Sequence, residues 1–206
     1  MDALKARLAP VALSALAAAT IGAAPAVDGL SAVRAHLAAV DTMTADFVQT
    51  DRSGKSVGGT LTLKKPGKIR FQYQKGVPIL IVADGKSLWF LDYQVGQKQR
   101  WPIANAPLGI LLDPSRDATR FARVVPGDTR LISVEAADPR HPEYGKITLV
   151  FAPNAAAPGG LALEGWVALD AQNNRTRVVL SNQRFNIRIA DNSFQFNDPQ
   201  RNSLRR

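Results

Sequence analysis

The chain has 206 residues, with 26 Lys and Arg against 17 Asp and Glu, a net charge of +9, and no cysteine. That length holds one domain or two small ones with a real core, and the ordinary apolar and charged content excludes wholesale disorder. The missing cysteine excludes disulfides, thiolate metal sites, iron–sulfur clusters, cysteine nucleophiles and lipidation of a cysteine. With only His36 and His141, a histidine-rich metal centre is excluded as well.

In chain order, Lys5 and Arg7 precede an uncharged run from Leu8 to Ala24, closed by Ala24-Pro25-Ala26. A basic start, an apolar stretch and an A-x-A site describe a secretory signal peptide, cut after about Ala26. Read as a membrane anchor, the run is short, rich in Ala and interrupted by Pro10, Ser14, Thr20 and Gly22. Residues 27–206 are then expected to be the exported chain, folded as one domain. Its basic residues are scattered rather than run together, which predicts a solvated surface meeting membranes or acidic partners and no nucleic acid.

Leu30, Val33, Leu37 and Val40 recur at helical spacing and predict a short amphipathic helix over 28–39 with Asp28 as its cap. His36, beside the apolar stripe, reads as a partly exposed surface histidine. Beyond the helix the period becomes two: Ala45 to Asp51, Thr60 to Lys64 and Ile69 to Gln74 each read as a strand with one apolar face. Val77 to Ala83 is apolar on both sides and needs two covers. Asp84-Gly85 then turns the chain into Ser87 to Leu91. Further strands are expected at 97–101, 129–136, 146–151, 163–169, 175–182 and 193–197. The expected fold is mainly β, an antiparallel sheet of about eleven strands with short helices. Between Trp101 and Arg130 the pattern lapses. There, residues 105–113 predict a short helix that is apolar on nearly every side, either wedged into a core or serving as a mobile cover, with general packing favouring the core.

Gly54-Lys55-Ser56-Val57-Gly58 matches the G-x-S-x-G of hydrolases, but it lies in a hairpin loop rather than on a strand-to-helix turn. The only downstream histidine is His141, in a proline-bounded loop. The same stretch is no phosphate loop, because Gln49 stands where the first glycine belongs. Asp138, His141 and Glu143 are a weak metal set on a loop, and no carboxylate pair sits in an apolar strand. No enzyme is expected, and no cofactor.

A set of motifs follows in order: Met43-Thr44-Ala45-Asp46-Phe47-Val48-Gln49-Thr50, Gly59-Thr60-Leu61-Thr62-Leu63-Lys64-Lys65-Pro66 leading to Ile69-Arg70-Phe71-Gln72-Tyr73, Ile81 to Phe90, Asn105-Ala106-Pro107-Leu108, and Phe194 to Pro199 as a final strand. Their order and spacing resemble the LolA family of periplasmic carriers that take lipoproteins to the outer membrane. The resemblance implies an open half-barrel with a helical lid over its concave face, acyl chains lying between the two. Residues 105–113 then become part of the lid and a second cover for 77–83. By match to the family, Leu37 sits on the first lid helix, Phe47, Ile69, Phe71 and Tyr73 point into the concavity, and Leu108 and Leu111 line the second lid helix. Where the family often has a lid-closing arginine, this chain has Lys65, which lacks the planar fork.

The implied partners are acylated lipoproteins, an inner-membrane lipoprotein-releasing ABC transporter, and an outer-membrane acceptor or the outer membrane itself. The implied carrier is a monomer in the periplasm. The family's lipid-anchored acceptor needs an N-terminal cysteine, which sets it apart from this chain. A carrier of a glycolipid or polyprenyl species, or a lipoprotein-sensing envelope regulator, are the alternatives on the same fold.

Overall fold

The structure, a computed structural model, describes residues 28–103 and 121–199. The proposed leader, the helix expected over 105–113 and the last seven residues lie outside them.

One helix, α1 (Gly29–Ala39), opens the described fold, and the Asp28 side chain accepts from the Leu30 amide at its start. Eleven strands follow: β1 (Thr42–Thr50), β2 (Ser56–Lys64), β3 (Lys68–Tyr73), β4 (Ile79–Asp84), β5 (Ser87–Asp92), β6 (Gln97–Pro102), β7 (Ala122–Val125), β8 (Ile132–Ala136), β9 (Lys146–Pro153), β10 (Leu161–Leu169) and β11 (Arg175–Phe185). They form one antiparallel sheet in the order β6-β5-β4-β3-β2-β1-β11-β10-β9-β8-β7. The sheet is a meander opened at its middle, where the first strand pairs with the last. It does not close, and β6 and β7 are its two ends.

Alternation sets the faces. Met43, Ala45 and Phe47 of β1, Leu61 and Leu63 of β2, and Ile69, Phe71 and Tyr73 of β3 share one buried side with Leu163 and Trp166 of β10. The sheet curls around this side. β3 and β10 are four strand spacings apart, or ~19 Å along a flat sheet, yet the Phe71 and Trp166 rings lie 6.0 Å apart. Extra residues cause part of the curl. The register slips between Thr44 and Asp46 against β11, where Asn182 has φ +52°, and again between Leu163 and Gly165 in β10.

Two expectations are corrected. Residues 193–197 are not a strand: Asp191–Phe194 is a 3-10 turn, and the chain beyond it makes no ladder. The segment 186–199 instead crosses the convex face as a strap over β2 to β6. Lys64 Nζ donates to the Ile189 carbonyl at 2.9 Å, Lys68 pairs with Asp191 at 2.7 Å, and Arg70 Nη1 donates to the Gln195 carbonyl at 2.9 Å. Phe196 packs on Trp89 with ring centres 5.5 Å apart, and Lys98 pairs with Asp198 at 2.6 Å.

That strap covers the second apolar side of β4, where Leu80 and Val82 are buried with Leu91 and Phe194. The C-terminal segment is therefore one of the two covers that β4 needs; the other, expected from 105–113, lies outside the described residues. Finally, β7 fell in the stretch where no strand was expected, so the count of eleven survives while its membership changes.

Candidate functional site

The concave face of β1 to β3 carries a packed aromatic group. Phe47 meets Phe71 at 5.4 Å and Tyr73 at 5.2 Å between ring centres, both edge to face, and Phe71 meets Trp166 across the concavity. Gly59 makes this possible. It stands opposite Phe47, and a Cβ there would lie 2.8 Å from the Phe47 ring and 2.3 Å from the Gln72 carbonyl. The missing side chain lets the ring lie across β2 and reach β3.

Leu37, Phe47, Ile69, Phe71 and Tyr73 come together in one cluster. All are buried, and Tyr73 is the most exposed of them at 6%. Leu108 and Leu111 lie outside the described residues. Trp166 escaped the sequence reading: plain alternation from Leu163 would turn it outward, and the extra residue between Leu163 and Gly165 brings it to the concave side. Farther out on the same concave face, Val77, Ile79, Ile81 and Leu88 are only half buried. Trp101, paired with Leu88 on the outermost strand β6, is 44% exposed. The concavity is thus sealed near β1 to β3 and looser toward β6.

Burial pushes the Tyr73 phenol up to about 12, with its hydrogen bond to Gln49 Oε1, at 2.8 Å, acting the other way. Ser56 of the G-x-S-x-G stretch hydrogen-bonds Thr50 across the β1–β2 hairpin at 2.9 Å. Asp138 is held by Arg140 and Glu143 by His141. These side chains complete turns and hairpin edges.

The helix α1 packs on the other half of the sheet, against β7, β8 and β10. A Cβ at Gly29 would meet Ile132 and Val124. At its far end the helix is tied to the first half. Lys65, in the β2–β3 turn, donates from Nζ to the Leu37 carbonyl, and Asn186 Nδ2 donates to the Ala39 carbonyl at 2.9 Å. Both satisfy carbonyls that have no partner inside the helix, and an ammonium there also suits the helix dipole.

His36 corrects another expectation. It is not at the surface but 2% exposed, with its ring edge-on to Phe151 and Phe185 at 5.7 and 6.0 Å and Nδ1 2.7 Å from the Pro158 carbonyl. The neighbouring Gly159 has φ +68°, and a Cβ on it would lie 2.8 Å from the His36 Cα. Glycine lets the 158–160 turn press directly on the helix.

An open antiparallel half-barrel with a continuous apolar concavity, and a helix tied across it at one end, defines a carrier of apolar material. The chain belongs to the family described as outer membrane lipoprotein carrier protein LolA, which matches residues 38–197. It is 30% identical to the outer-membrane lipoprotein carrier protein of Bordetella avium, over 94% of this chain and 93% of that one. To its counterpart from Chromobacterium violaceum it is 28% identical, over 93% and 94%. A DUF1329 family protein from Desulfovibrio piger shares the fold, at a TM-score of 0.50 and 11% identity, over 81% of this chain and 95% of that one.

Proposed function

We propose that the protein accepts acylated lipoproteins from an inner-membrane transporter and hands them to the outer membrane or an acceptor there, shielding the acyl chains between sheet and lid. The observation behind this reading is the concavity itself, a single apolar surface running from Trp166 through Phe71 and Phe47 to the half-buried Ile81 and Trp101. Family membership accords with it.

The energetics fit a carrier that must also release. Burying one sixteen-carbon chain is worth on the order of 12 kcal/mol, at ~0.8 kcal/mol per methylene. An acylated protein therefore does not cross water unaided. The aromatic group packs on itself within the core cluster that α1 joins. Cargo must displace those contacts, so net affinity falls below the gross transfer energy. Lys65 holds the helix closed through the Leu37 carbonyl, a charge-assisted bond worth about 1.5–3 kcal/mol, small enough for an arriving chain to break. The basic leader ending near Ala26 supplies export to the periplasm.

The test is release of lipoprotein from spheroplasts. Phe71→Ala, checked by circular dichroism to be folded, is expected to lose capture, whereas Val179→Ala on the convex face retains it. Equal capture by both variants would refute the reading. Mass spectrometry of material co-purified from the periplasm separates the alternatives: a triacylated peptide supports this proposal, and a free glycolipid or polyprenyl species supports a different cargo.

A further inference from the structure

We propose that His36 is an acid-sensitive latch on α1: a proton taken up by its ring frees the helix from the Pro158–Gly160 turn and opens the concavity. This rests on the carrier reading above and adds its regulation.

The geometry carries the proposal. A carbonyl only accepts, so the 2.7 Å contact to Pro158 requires the proton on Nδ1 and leaves Nε2 bare. The ring is wedged between Phe151 of β9 and Phe185 at the end of β11, neither of which can accept a hydrogen bond from a second N–H in the way a carboxylate would. The 158–160 turn adds only backbone and glycine. The charge that bears on the ring is the Lys65 ammonium, itself bonded one residue away at the Leu37 carbonyl. Arg34 on the helix, Glu164 on β10 and Arg184 on β11 are exposed to solvent. A protonated ring would thus be a buried cation facing another cation, with no acid among the described residues shown to meet it. Burial accordingly holds the imidazole below its ordinary 6.5, the Pro158 carbonyl opposing and Lys65 reinforcing that shift.

The direction of the effect follows. Above about pH 6.5 the ring is neutral in docked and undocked helix alike, and docking has full strength. Below it the undocked ring binds a proton first. Docking then weakens by up to about tenfold per pH unit, until the docked ring also titrates. Val33 and Leu37 of the same helix are buried in the core cluster that also holds the aromatic group, so undocking the helix uncovers part of that cluster.

Hydrogen exchange of the α1 amides in the cargo-free protein, from pH 7.5 to 5 and corrected for intrinsic rates, reads this directly. The opening constant is expected to climb as the pH falls below 6.5, by at most about tenfold per unit, in the wild type and in His141→Gln, and to stay flat in His36→Gln. Flat behaviour in the wild type, or the same slope in His36→Gln, overturns the proposal. Should His36→Gln fail to fold, the single imidazole of His141→Gln can be followed by NMR. A midpoint below 6.5 that coincides with loss of α1 protection supports the latch, and a midpoint at or above 6.5 overturns it. No cargo is present in these experiments. An acid-opened helix in a protein that captures no lipoprotein would therefore count against the carrier reading alone.

Discussion

The two halves of the sheet are covered from opposite sides. β2 to β6 are braced on the convex face by the 186–199 strap, and their concave face grows progressively less buried toward Trp101. β7 to β10 carry α1 on the concave face. At the seam between the halves the convex face is bare, with Val48 and Val179 opposite each other and 50% and 40% exposed. Among the described residues the strapped half takes its cover on the convex side, and the cargo proposed above would meet its concave surface. The other half depends on α1 for its cover, and that cover is held by a turn, a lysine and an asparagine. The braced floor and the helical cover thus come from different halves.

The comparison breaks most completely at the aromatic group that joins the halves. Phe47→Ala removes the ring on which Phe71 and Tyr73 both rest, and about 3–5 kcal/mol of stability should go with it in urea unfolding. Phe194→Ala empties the anchor of the strap between Leu80, Val82 and Leu91. A loss of about 3 kcal/mol is expected, with hydrogen exchange rising in β4 and β5 and unchanged in β8 and β9. Equal loosening of both halves would show that the strap is not a local brace. Lys65→Ala should cost about 1.5–3 kcal/mol in α1 protection while leaving the strap intact, and Lys65→Arg, with a planar fork, should restore it. Asp191→Asn removes a carboxylate that Lys64 and Lys68 share at 3.0 and 2.7 Å. Its side chain is 70% exposed, so the effect should stay under about 1 kcal/mol and vanish in high salt.

What the sequence revealed of this arrangement depended on how local the cause was. The helix at Gly29–Ala39 and the strands through β3 carry their own period, and Asp84-Gly85 carries its own turn: Gly85 has φ +103°, and Asp84 Oδ1 accepts from the amides of Lys86 and Ser87. The inward direction of Phe47, Ile69, Phe71 and Tyr73 followed from alternation and from the family resemblance. The strap did not. Phe194 and Phe196 alternate as a strand would, but alternation reports only that one side is buried, not whether the backbone pairs with a neighbour. β7, with four residues, is too short to show a period. The burial of His36 is set by a turn 122 residues away, and nothing near His36 in the chain signals it. Trp166 lies in an expected strand, but only the curl of the sheet brings it to Phe71.

The central claim is that cargo lies on the concave face and nowhere else. Photocrosslinking tests it most directly, with benzoylphenylalanine placed singly at Phe90, whose partner Ile81 lies on the concave face of β4, and at Val179 on the convex seam. Each variant is presented with acylated lipoprotein released from spheroplasts. Crosslinks from position 90 and none from position 179 are the expected result. Crosslinks from 179 at equal yield, or from neither position, would contradict the account.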